Sequence, residues 1–258
     1  MKILLCGDFD AVEATGWRQA LGAAMPEAQW LDLAQARAQA AEVQAAVVAN
    51  PPPGSLQGLP ALRLVQSLWA GVDRLLADAT LPAGVPIARM VDPAMNAAMA
   101  ETAVWATLAL QRDFFTYARQ QQRTEWRQHA QRRADEWPVL VLGQGEMGRT
   151  AARRLVAMGF PVTGWSRHAG AAEPGTQRVH GDAALASALA GARVLVNLLP
   201  LTPQTENLLG ARLFAQLPRG AALVNLARGR HVVDAELLAA LDSGQLSHAV
   251  LDVFRGEP

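Results

Sequence analysis

The chain of 258 residues is long enough for one large domain or two of ordinary size, with ample material for hydrophobic cores. Its hydrophobic content of 51% with 18% charged residues excludes an intrinsically disordered protein. The 23 basic and 23 acidic residues cancel, so electrostatics gives no reason to expect a nucleic acid or an anionic membrane as partner.

The single cysteine, Cys6, excludes an intrachain disulfide, and no Cys/His spacing typical of a zinc site is present. Cys6 lies in the apolar run KILLCG, where we expect a buried core thiol rather than a nucleophile. The N-terminal apolar run is too short for a signal peptide, and no run approaches the roughly 18 apolar residues of a membrane span. We therefore expect a cytoplasmic protein with no metal site and no membrane partner.

Short apolar runs alternate with longer amphipathic stretches through the first 90 residues. The runs predict five strands, at KILLC, AQWLDL, AAVVAN, LRLVQSL and VPIARM. The stretches at residues 11–24 and 34–42 predict helices between them. This alternation predicts a parallel sheet with helices on both faces.

Residues 98–117 contain no Gly or Pro and carry apolar side chains at helical offsets, which predicts a long helix linking two α/β units. The next segment, ARQQQRTEWRQHAQRRADEW, has five Arg against three acids. A basic patch of this kind could bind nucleic acid. We favour a solvated helix whose Trp126 and Trp137 pack inward or against a partner subunit.

A second alternation begins near residue 139 and predicts strands at PVLVLG, PVTGWS, ARVLVNLL, AALVNLA and HAVLDVF. The first of them runs into VLVLGQGEMG, a glycine-rich turn that precedes a helix-like segment. In a dinucleotide site, Gly143 would permit the tight turn, Gly145 the approach of a pyrophosphate and Gly148 close helix–strand packing. A glycine turn without a ligand is the alternative.

The end of the following strand bears on the choice of cofactor. An NAD-preferring site places Asp or Glu about 20 residues beyond the turn, where it accepts hydrogen bonds from the ribose. Here the chain reads Trp165-Ser166-Arg167-His168, with no acid. A hydroxyl followed by Arg suits a 2′-phosphate, so we expect NADPH to be preferred and NADH to be possible. The alternative is that Arg167 points to solvent.

Two charged residues follow parallel strands near the end of the chain. Arg228 follows AALVNLA, and Glu257 follows HAVLDVF, which also contains Asp252. The helix between the strands has Asp234 as its expected N-cap and Gly244 just past its end. Because parallel strands end at one sheet edge, these charges should meet where α/β sheets bind ligands.

Several ordered motifs resemble the D-2-hydroxyacid dehydrogenase family, and most closely its glyoxylate/hydroxypyruvate reductase branch. They are VLGQGEMG, NLLPLTPQT, NLARGRHVVDAELLAALDSGQL and LDVFRGEP, with looser matches at SLWAGVD and at the MAE of residues 99–101. The resemblance implies two parallel-sheet domains of the flavodoxin-like and Rossmann kinds, joined by a long helix, with the active-site cleft between them. Residues 1–97 would bind substrate, and residues 98–258, including the linking helix, would bind the dinucleotide.

The resemblance also implies roles for particular residues. Arg228 would grip the carboxylate and carbonyl oxygen of a small 2-oxo acid, helped by backbone N–H groups of Ala70 and Gly71. Glu257 would orient a catalytic histidine and raise its pKa. The cofactor would contact the glycine turn, the end of the next strand and the cleft, at Gly143, Gly145, Glu146, Met147, Gly148, Ser166, Arg167, Leu199, Pro200, Ala227 and Asp252.

The family's catalytic histidine follows the Glu-Pro pair, where this chain stops, so we expect the C-terminal part of the protein to be missing here. Among the five histidines only His231 is a candidate substitute, and a weak one. Two other functions stay open: a β-hydroxyacid dehydrogenase, which carries a similar turn at its extreme N-terminus, and a non-catalytic dinucleotide sensor or corepressor. By family habit we expect a homodimer that associates through the nucleotide-binding domain.

Overall fold

A computed structural model describes residues 1–256 and divides the chain into two compact units, Met1–Val91 and Asp92–Pro258. Both are α/β units with a parallel sheet, as predicted. The predicted boundary between residues 97 and 98 falls inside helix α4 (Pro93–Gln111), which belongs wholly to the second unit. Asp92 caps this helix by accepting from the amides of Ala94 and Met95, and Pro93 stands at its first position, where a missing N–H costs nothing.

The first unit contains all five predicted strands in a doubly wound parallel sheet of order β2-β1-β3-β4-β5. The strands are β1 (Lys2–Gly7), β2 (Gln29–Leu31), β3 (Val43–Ala49), β4 (Leu64–Ser67) and β5 (Ile87–Ala88), and the helices are α1 (Ala11–Ala24), α2 (Leu33–Ala38) and α3 (Asp73–Leu76). Asp10 and Asp32 fix where α1 and α2 begin, since each accepts from helix amides in a capping box. Cys6 lies in the core, and burial raises the pKa of its thiol, so the expectation of a core cysteine is confirmed.

The second unit contains a six-stranded parallel sheet of order β11-β10-β9-β6-β7-β8, the arrangement of the Rossmann fold. The strands are β6 (Val139–Leu142), β7 (Val162–Ser166), β8 (Thr176–His180), β9 (Val194–Asn197), β10 (Ala221–Asn225) and β11 (Leu246–Leu251). Beside α4 and α5 (Phe114–Gln122), the helices are α6 (Glu146–Ala157), α7 (Gly181–Gly191), α8 (Ala211–Phe214) and α9 (Asp234–Asp242). The topological switch point lies between β6 and β9.

The helix predicted at residues 98–117 is two helices, because Asp113 adopts a left-handed conformation at φ 56° and ends the first of them. The helical prediction is also wrong beyond Gln122, where Thr124 is again left-handed. Trp126 is 92% exposed rather than packed inward, whereas Trp137 packs against the core of the second unit. Among the described residues, no helix has the length and apolar character needed to cross a membrane.

Helix α4 packs on α6 through small side chains. Ala100, Ala103 and Ala106 are fully buried in one cluster with Ala151 and Ala152 of α6. Alanine brings two helix axes close together, so this contact fixes α6 firmly on the sheet. The start of α6 is thereby held at the end of β6.

Candidate cofactor and substrate site

The glycine turn after β6 has the geometry of a phosphate-binding turn. Gly143 has φ +91°, and a Cβ there would lie 2.6 Å from the carbonyl oxygen of Leu198. A Cβ on Gly148 would lie 1.8 Å from the carbonyl oxygen of Gly143, so the helix can approach the turn only with glycine at this position. A Cβ on Gly145 would meet no protein atom within 4 Å. Gly143 and Gly148 are thus required by the protein's own packing, whereas a side chain at residue 145 would enter open space.

The first amides of α6 face this space without partners inside the helix. The first helical hydrogen bond runs from Arg149 N to Gly145 O at 2.9 Å, which leaves the N–H groups of Glu146, Met147 and Gly148 unpaired in the helix. Gly145 stands at the N-cap and has no side chain to cap them. The carboxylate of Glu146 is paired with Arg149. A pyrophosphate fits this arrangement, because unpaired amides and the helix dipole favour an anion.

Ser166 ends β7 and Arg167 begins the loop after it, and no carboxylate follows the strand directly. The Ser166 hydroxyl donates to the carbonyl oxygen of His168 at 2.7 Å and accepts from Arg178 Nη2 at 2.8 Å. Arg167 is exposed. Arg178 comes from β8, a strand that the sequence analysis missed because TQRVH is not an apolar run. Its side chain was therefore not predicted at this loop.

Arg228 lies in a short turn after β10, half-buried, with its Nη1 donating to the carbonyl oxygen of Ala227 at 2.7 Å. Asn225, at the end of β10, stabilises this turn through two hydrogen bonds of its side chain. Its Nδ2 donates to the Arg228 carbonyl oxygen at 3.0 Å, and its Oδ1 accepts from the Ala227 amide at 3.3 Å. Arg228 thus stands at the carboxyl edge of the sheet, on the same edge as the glycine turn, as predicted.

Three fully buried polar side chains lie behind Arg228. Asn197 Nδ2 donates to Asn225 Oδ1 at 2.9 Å and approaches His231 Nδ1 at 2.9 Å. Because an amide nitrogen only donates, Nδ1 is the acceptor, and the proton on Nε2 faces the Pro200 carbonyl oxygen at 3.3 Å. His231 is 0% exposed, so it has no access to a substrate. The two asparagines interrupt apolar runs, VNLL and VNLA, and that interruption is the sequence signal from which this network could have been found.

The network also reaches the loop after β9. Asn197 Oδ1 accepts from the Leu199 amide at 3.3 Å, and Leu199 is buried while Pro200 is exposed. One set of hydrogen bonds therefore supports both Leu199–Pro200 and Ala227–Arg228, two of the segments predicted to line the cofactor cleft.

The segment after β11 packs backbone to backbone on the Arg228 turn. A Cβ on Gly229 would lie 1.9 Å from the carbonyl group of Phe254, and the Asp252 amide donates to Asn225 O at 3.0 Å. Arg255, which the sequence analysis did not single out, donates to the Val232 carbonyl oxygen at 2.5 Å and holds the segment in place. Glu257, the predicted partner of a catalytic histidine, lies outside the described residues.

The helix α9 that separates Arg228 from Asp252 begins one residue earlier than predicted. Val233 is the N-cap and Asp234 the first helical residue, so the assignment of Asp234 as N-cap is wrong; as a first-turn acid it still favours the helix dipole. Gly244 follows the C-cap with φ +71°, which confirms its predicted place.

Ala70 and Gly71 lie in the first unit, in the loop between β4 and α3. The Ser67 hydroxyl accepts from the Trp69 amide at 3.0 Å and so shapes the start of this loop. Within residues 1–256, the amides of Ala70 and Gly71 donate to no protein group.

No set of three or more His, Cys, Asp or Glu side chains in the described part of the chain could hold a metal ion. A Rossmann sheet with an anion-binding turn at its switch point, and with an arginine at the same edge, is typical of dinucleotide-dependent oxidoreductases.

Comparison with known proteins identifies the family to which the chain belongs. Residues 104–258 match the family model for the NAD-binding domain of D-isomer specific 2-hydroxyacid dehydrogenases. Glyoxylate/hydroxypyruvate reductase A of Serratia proteamaculans is 42% identical over 218 residues, which are 83% of this chain and 69% of that protein. The enzyme of the same name from Yersinia enterocolitica is 36% identical over 95% of this chain and 79% of its own length. The chain belongs to the D-isomer specific 2-hydroxyacid dehydrogenase family, and not to the β-hydroxyacid dehydrogenases.

Two solved structures are similar over the whole chain. The D-isomer specific 2-hydroxyacid dehydrogenase of Xanthobacter autotrophicus, in complex with NADPH and MES, has a TM-score of 0.90 and 41% identity. The NADPH-dependent glyoxylate/hydroxypyruvate reductase of Sinorhizobium meliloti, in complex with NADP and sulfate, has a TM-score of 0.88 and 35% identity. In both comparisons the match covers 100% of this chain and 82% of the other.

Proposed function

We propose that this protein reduces a small 2-oxo acid to the 2-hydroxy acid at the expense of NADPH, with glyoxylate or hydroxypyruvate as substrate. The observation that carries the proposal is the position of Arg228 at the carboxyl edge of a Rossmann sheet, on the edge that holds the glycine turn. A fixed cation at that edge suits a substrate with a carboxylate and a carbonyl group next to a dinucleotide. Relatives at 36–42% identity are glyoxylate/hydroxypyruvate reductases, which supports this substrate class.

The cofactor would lie along the carboxyl edge of the second unit. The amides at the start of α6 would bind its pyrophosphate, and Leu199, Pro200 and Ala227 would line the cleft around it. Asp252 would accept from the nicotinamide carboxamide. The absence of a carboxylate after β7, together with Arg167, favours the 2′-phosphate of NADPH over the free ribose of NADH.

Arg228 would bind the substrate carboxylate and carbonyl oxygen, and the amides of Ala70 and Gly71 would complete the carboxylate site. Residues 1–97 would thus be the substrate-binding domain and residues 98–258 the dinucleotide-binding domain. When bound, the cofactor supplies the hydride. As the carbonyl oxygen gains negative charge, the Arg228 guanidinium stabilises it through charge-assisted hydrogen bonds.

Glu257 would orient a histidine that donates the proton to this oxygen, as the resemblance implies. Burial argues against His231 as that acid, because Asn197 and the Pro200 carbonyl group already engage both of its ring nitrogens. The competing function, a dinucleotide sensor without turnover, would require no intact Arg228.

The protein would be a homodimer in the cytoplasm, with no nucleic-acid partner. Large aromatic side chains in and just after helices α4 and α5 are exposed, Trp105 by 55%, Phe114 by 58% and Trp126 by 92%. Exposed aromatic residues of this size are typical of protein interfaces.

The test is oxidation of NADPH, followed by absorbance, with glyoxylate or hydroxypyruvate as acceptor and with NADH in parallel. We expect turnover with both acids and a higher kcat/KM for NADPH than for NADH. Binding of NADPH without turnover of any 2-oxo acid would overturn the proposal in favour of the sensor.

A further inference from the structure

Arg178 on β8 holds the loop that carries Ser166 and Arg167. Its Nη2 donates to the Ser166 hydroxyl at 2.8 Å, and its Nη1 donates to the carbonyl oxygen of Ala171 at 2.8 Å. The fork of the guanidinium therefore joins the last residue of β7 to the middle of the loop that follows it. A planar group with donors in fixed directions is suited to such a double contact.

The Ser166 hydroxyl is used inside the loop. Its proton goes to the His168 carbonyl oxygen at 2.7 Å, and its lone pair accepts from Arg178. A phosphate oxygen needs donors, and a hydroxyl whose single proton is already engaged has none to offer. Ser166 therefore links Arg178 to the backbone of the loop, and the guanidinium of Arg167 remains as the donor that can reach outward.

The far end of the loop is tied to helix α6. Glu173 is largely buried and pairs with Arg153 at 3.0 Å and with Arg149 at 3.5 Å. Residues 166–173 are thus fixed at one end by the sheet and at the other by the helix that begins at the phosphate-binding turn. Arg167, between the two anchors, has its backbone position set by both.

Gly170 gives a further indication that the loop is shaped around Arg178. A Cβ at residue 170 would lie 2.7 Å from Arg178 Nη2, although its backbone φ does not lie in the left-handed region. An added methyl group at this position would displace the guanidinium, so the glycine leaves the space that the Arg178 guanidinium occupies. Among the described residues no carboxylate pairs with Arg178, and its buried Nε has no hydrogen-bond partner, so its charge is not neutralised locally.

We propose that Arg178 is a positioning residue that sets the preference for NADPH by holding Arg167 where the adenosine 2′-phosphate binds. The inference rests on the proposed use of NADPH and extends it to a residue outside the glycine turn and the Ser166–Arg167 pair. Without Arg178, Ser166 loses its donor and Ala171 its contact, so the backbone that carries Arg167 loses two of its supports. Recognition of the 2′-phosphate weakens, while the adenine and pyrophosphate contacts are kept.

The test uses calorimetric titration with 2′,5′-ADP and with AMP, which differs from it only in lacking the 2′-phosphate, so that no turnover is needed. We expect the Arg178→Gln variant to bind 2′,5′-ADP roughly tenfold more weakly and AMP within about twofold of the wild-type protein. Arg178→Lys keeps the charge but not the fork, and should recover less than half of the lost selectivity. Arg154→Gln, an exposed charge removal on α6, is the matched control and should leave both affinities unchanged.

A double variant separates positioning from direct contact. If Arg178 acts through Arg167, Arg167→Gln with Arg178→Gln binds 2′,5′-ADP less than about twofold more weakly than Arg167→Gln alone. Additive losses overturn the positioning role, and so does an Arg178→Gln variant whose preference for 2′,5′-ADP over AMP is unchanged. Equal weakening of both ligands, with a lowered melting temperature, would make Arg178 a merely structural residue and overturn it too. If the wild-type protein itself fails to prefer 2′,5′-ADP, the proposed use of NADPH fails first, and this inference with it.

Discussion

Asn197 and His231 are joined by a 2.9 Å hydrogen bond in the interior of the second unit, although 34 residues separate them in the chain. Asn197 ends β9 and His231 follows the Arg228 turn, so the contact joins the two loops that flank the proposed site. A buried polar network of this kind is stabilising only while all of its members are satisfied. The position of Arg228 therefore depends on side chains that touch no ligand.

Removal of Asn197 should be costly for the fold. Asn197→Ala removes the hydrogen bond to His231 Nδ1 and one of the two hydrogen bonds that Asn225 Oδ1 accepts, all in the buried interior, so we expect the free energy of unfolding to fall by about 1–3 kcal/mol. Denaturant titration measures it. Gln121→Ala, at an exposed position of α5, is the control and should stay within about 0.5 kcal/mol of wild type. An Asn197→Ala variant with the same free energy of unfolding as the wild type would show that the network does not support the site.

Replacement of Arg228 should remove turnover while sparing the cofactor. Arg228→Gln loses the cation that faces the developing oxyanion, and we expect kcat/KM for glyoxylate to fall about 10²–10³-fold with the NADPH affinity unchanged within about threefold. Arg230→Gln is the matched control, because Arg230 is exposed and its pair with Glu206 is a surface ion pair of little energetic value. Comparable rates for the two variants would remove Arg228 from the mechanism.

An added methyl group should weaken NADPH binding at Gly145 and lower the stability of the fold at Gly148. Gly145→Ala meets no protein atom within 4 Å, so the protein should fold normally and bind NADPH at least about tenfold more weakly because the methyl group occupies the pyrophosphate position. Gly148→Ala places a Cβ 1.8 Å from a backbone oxygen and should lower the melting temperature by several degrees. Thermal melts with and without NADPH distinguish the two. Wild-type NADPH affinity in Gly145→Ala would mean that no phosphate approaches this turn.

His248 should make the fold sensitive to acid. Burial lowers the pKa of this imidazole below its usual 6.5, and the nearby Arg119 guanidinium lowers it further, with Asp113 acting in the opposite direction. The unfolded chain then binds the proton more readily than the folded one, so stability contributed by neutral His248 is lost as the pH falls below about 6.5. Melting temperatures of wild type and His248→Gln, measured from pH 7.5 to pH 5, should differ in slope, the wild type falling more steeply. His168→Gln, at an exposed position, serves as the control and should follow the wild-type curve.

The sequence was sufficient for the two parallel sheets and for the edge at which the site lies, because apolar runs and glycine spacing depend on local chemistry. Strand β8 escaped prediction because TQRVH contains a single apolar residue, Val179, so neither an apolar run nor an alternating pattern marks this edge strand. The break at Asp113 escaped because nothing in the residue type requires a left-handed backbone there. Arg178, Asn197 and Asn225 were not identified as supports because their partners lie far away in the chain, and such contacts exist only after the strands are ordered. The roles of Ala70, Gly71, Asp252 and Glu257 stay predictions.

The run of alanines between α4 and α6 has a consequence for the chemistry as well as for the fold. Residues 100, 103, 151 and 152 are fully buried in one cluster where the two helices meet, and added side-chain volume in a packed interior displaces its neighbours. A larger side chain at any of them would push α6 off the sheet, and its first turn would carry the anion-binding amides away from the strand edge. The affinity for a phosphate therefore depends on the small side chains at the contact of α4 with α6. Substitutions there can lower that affinity although no ligand touches these positions.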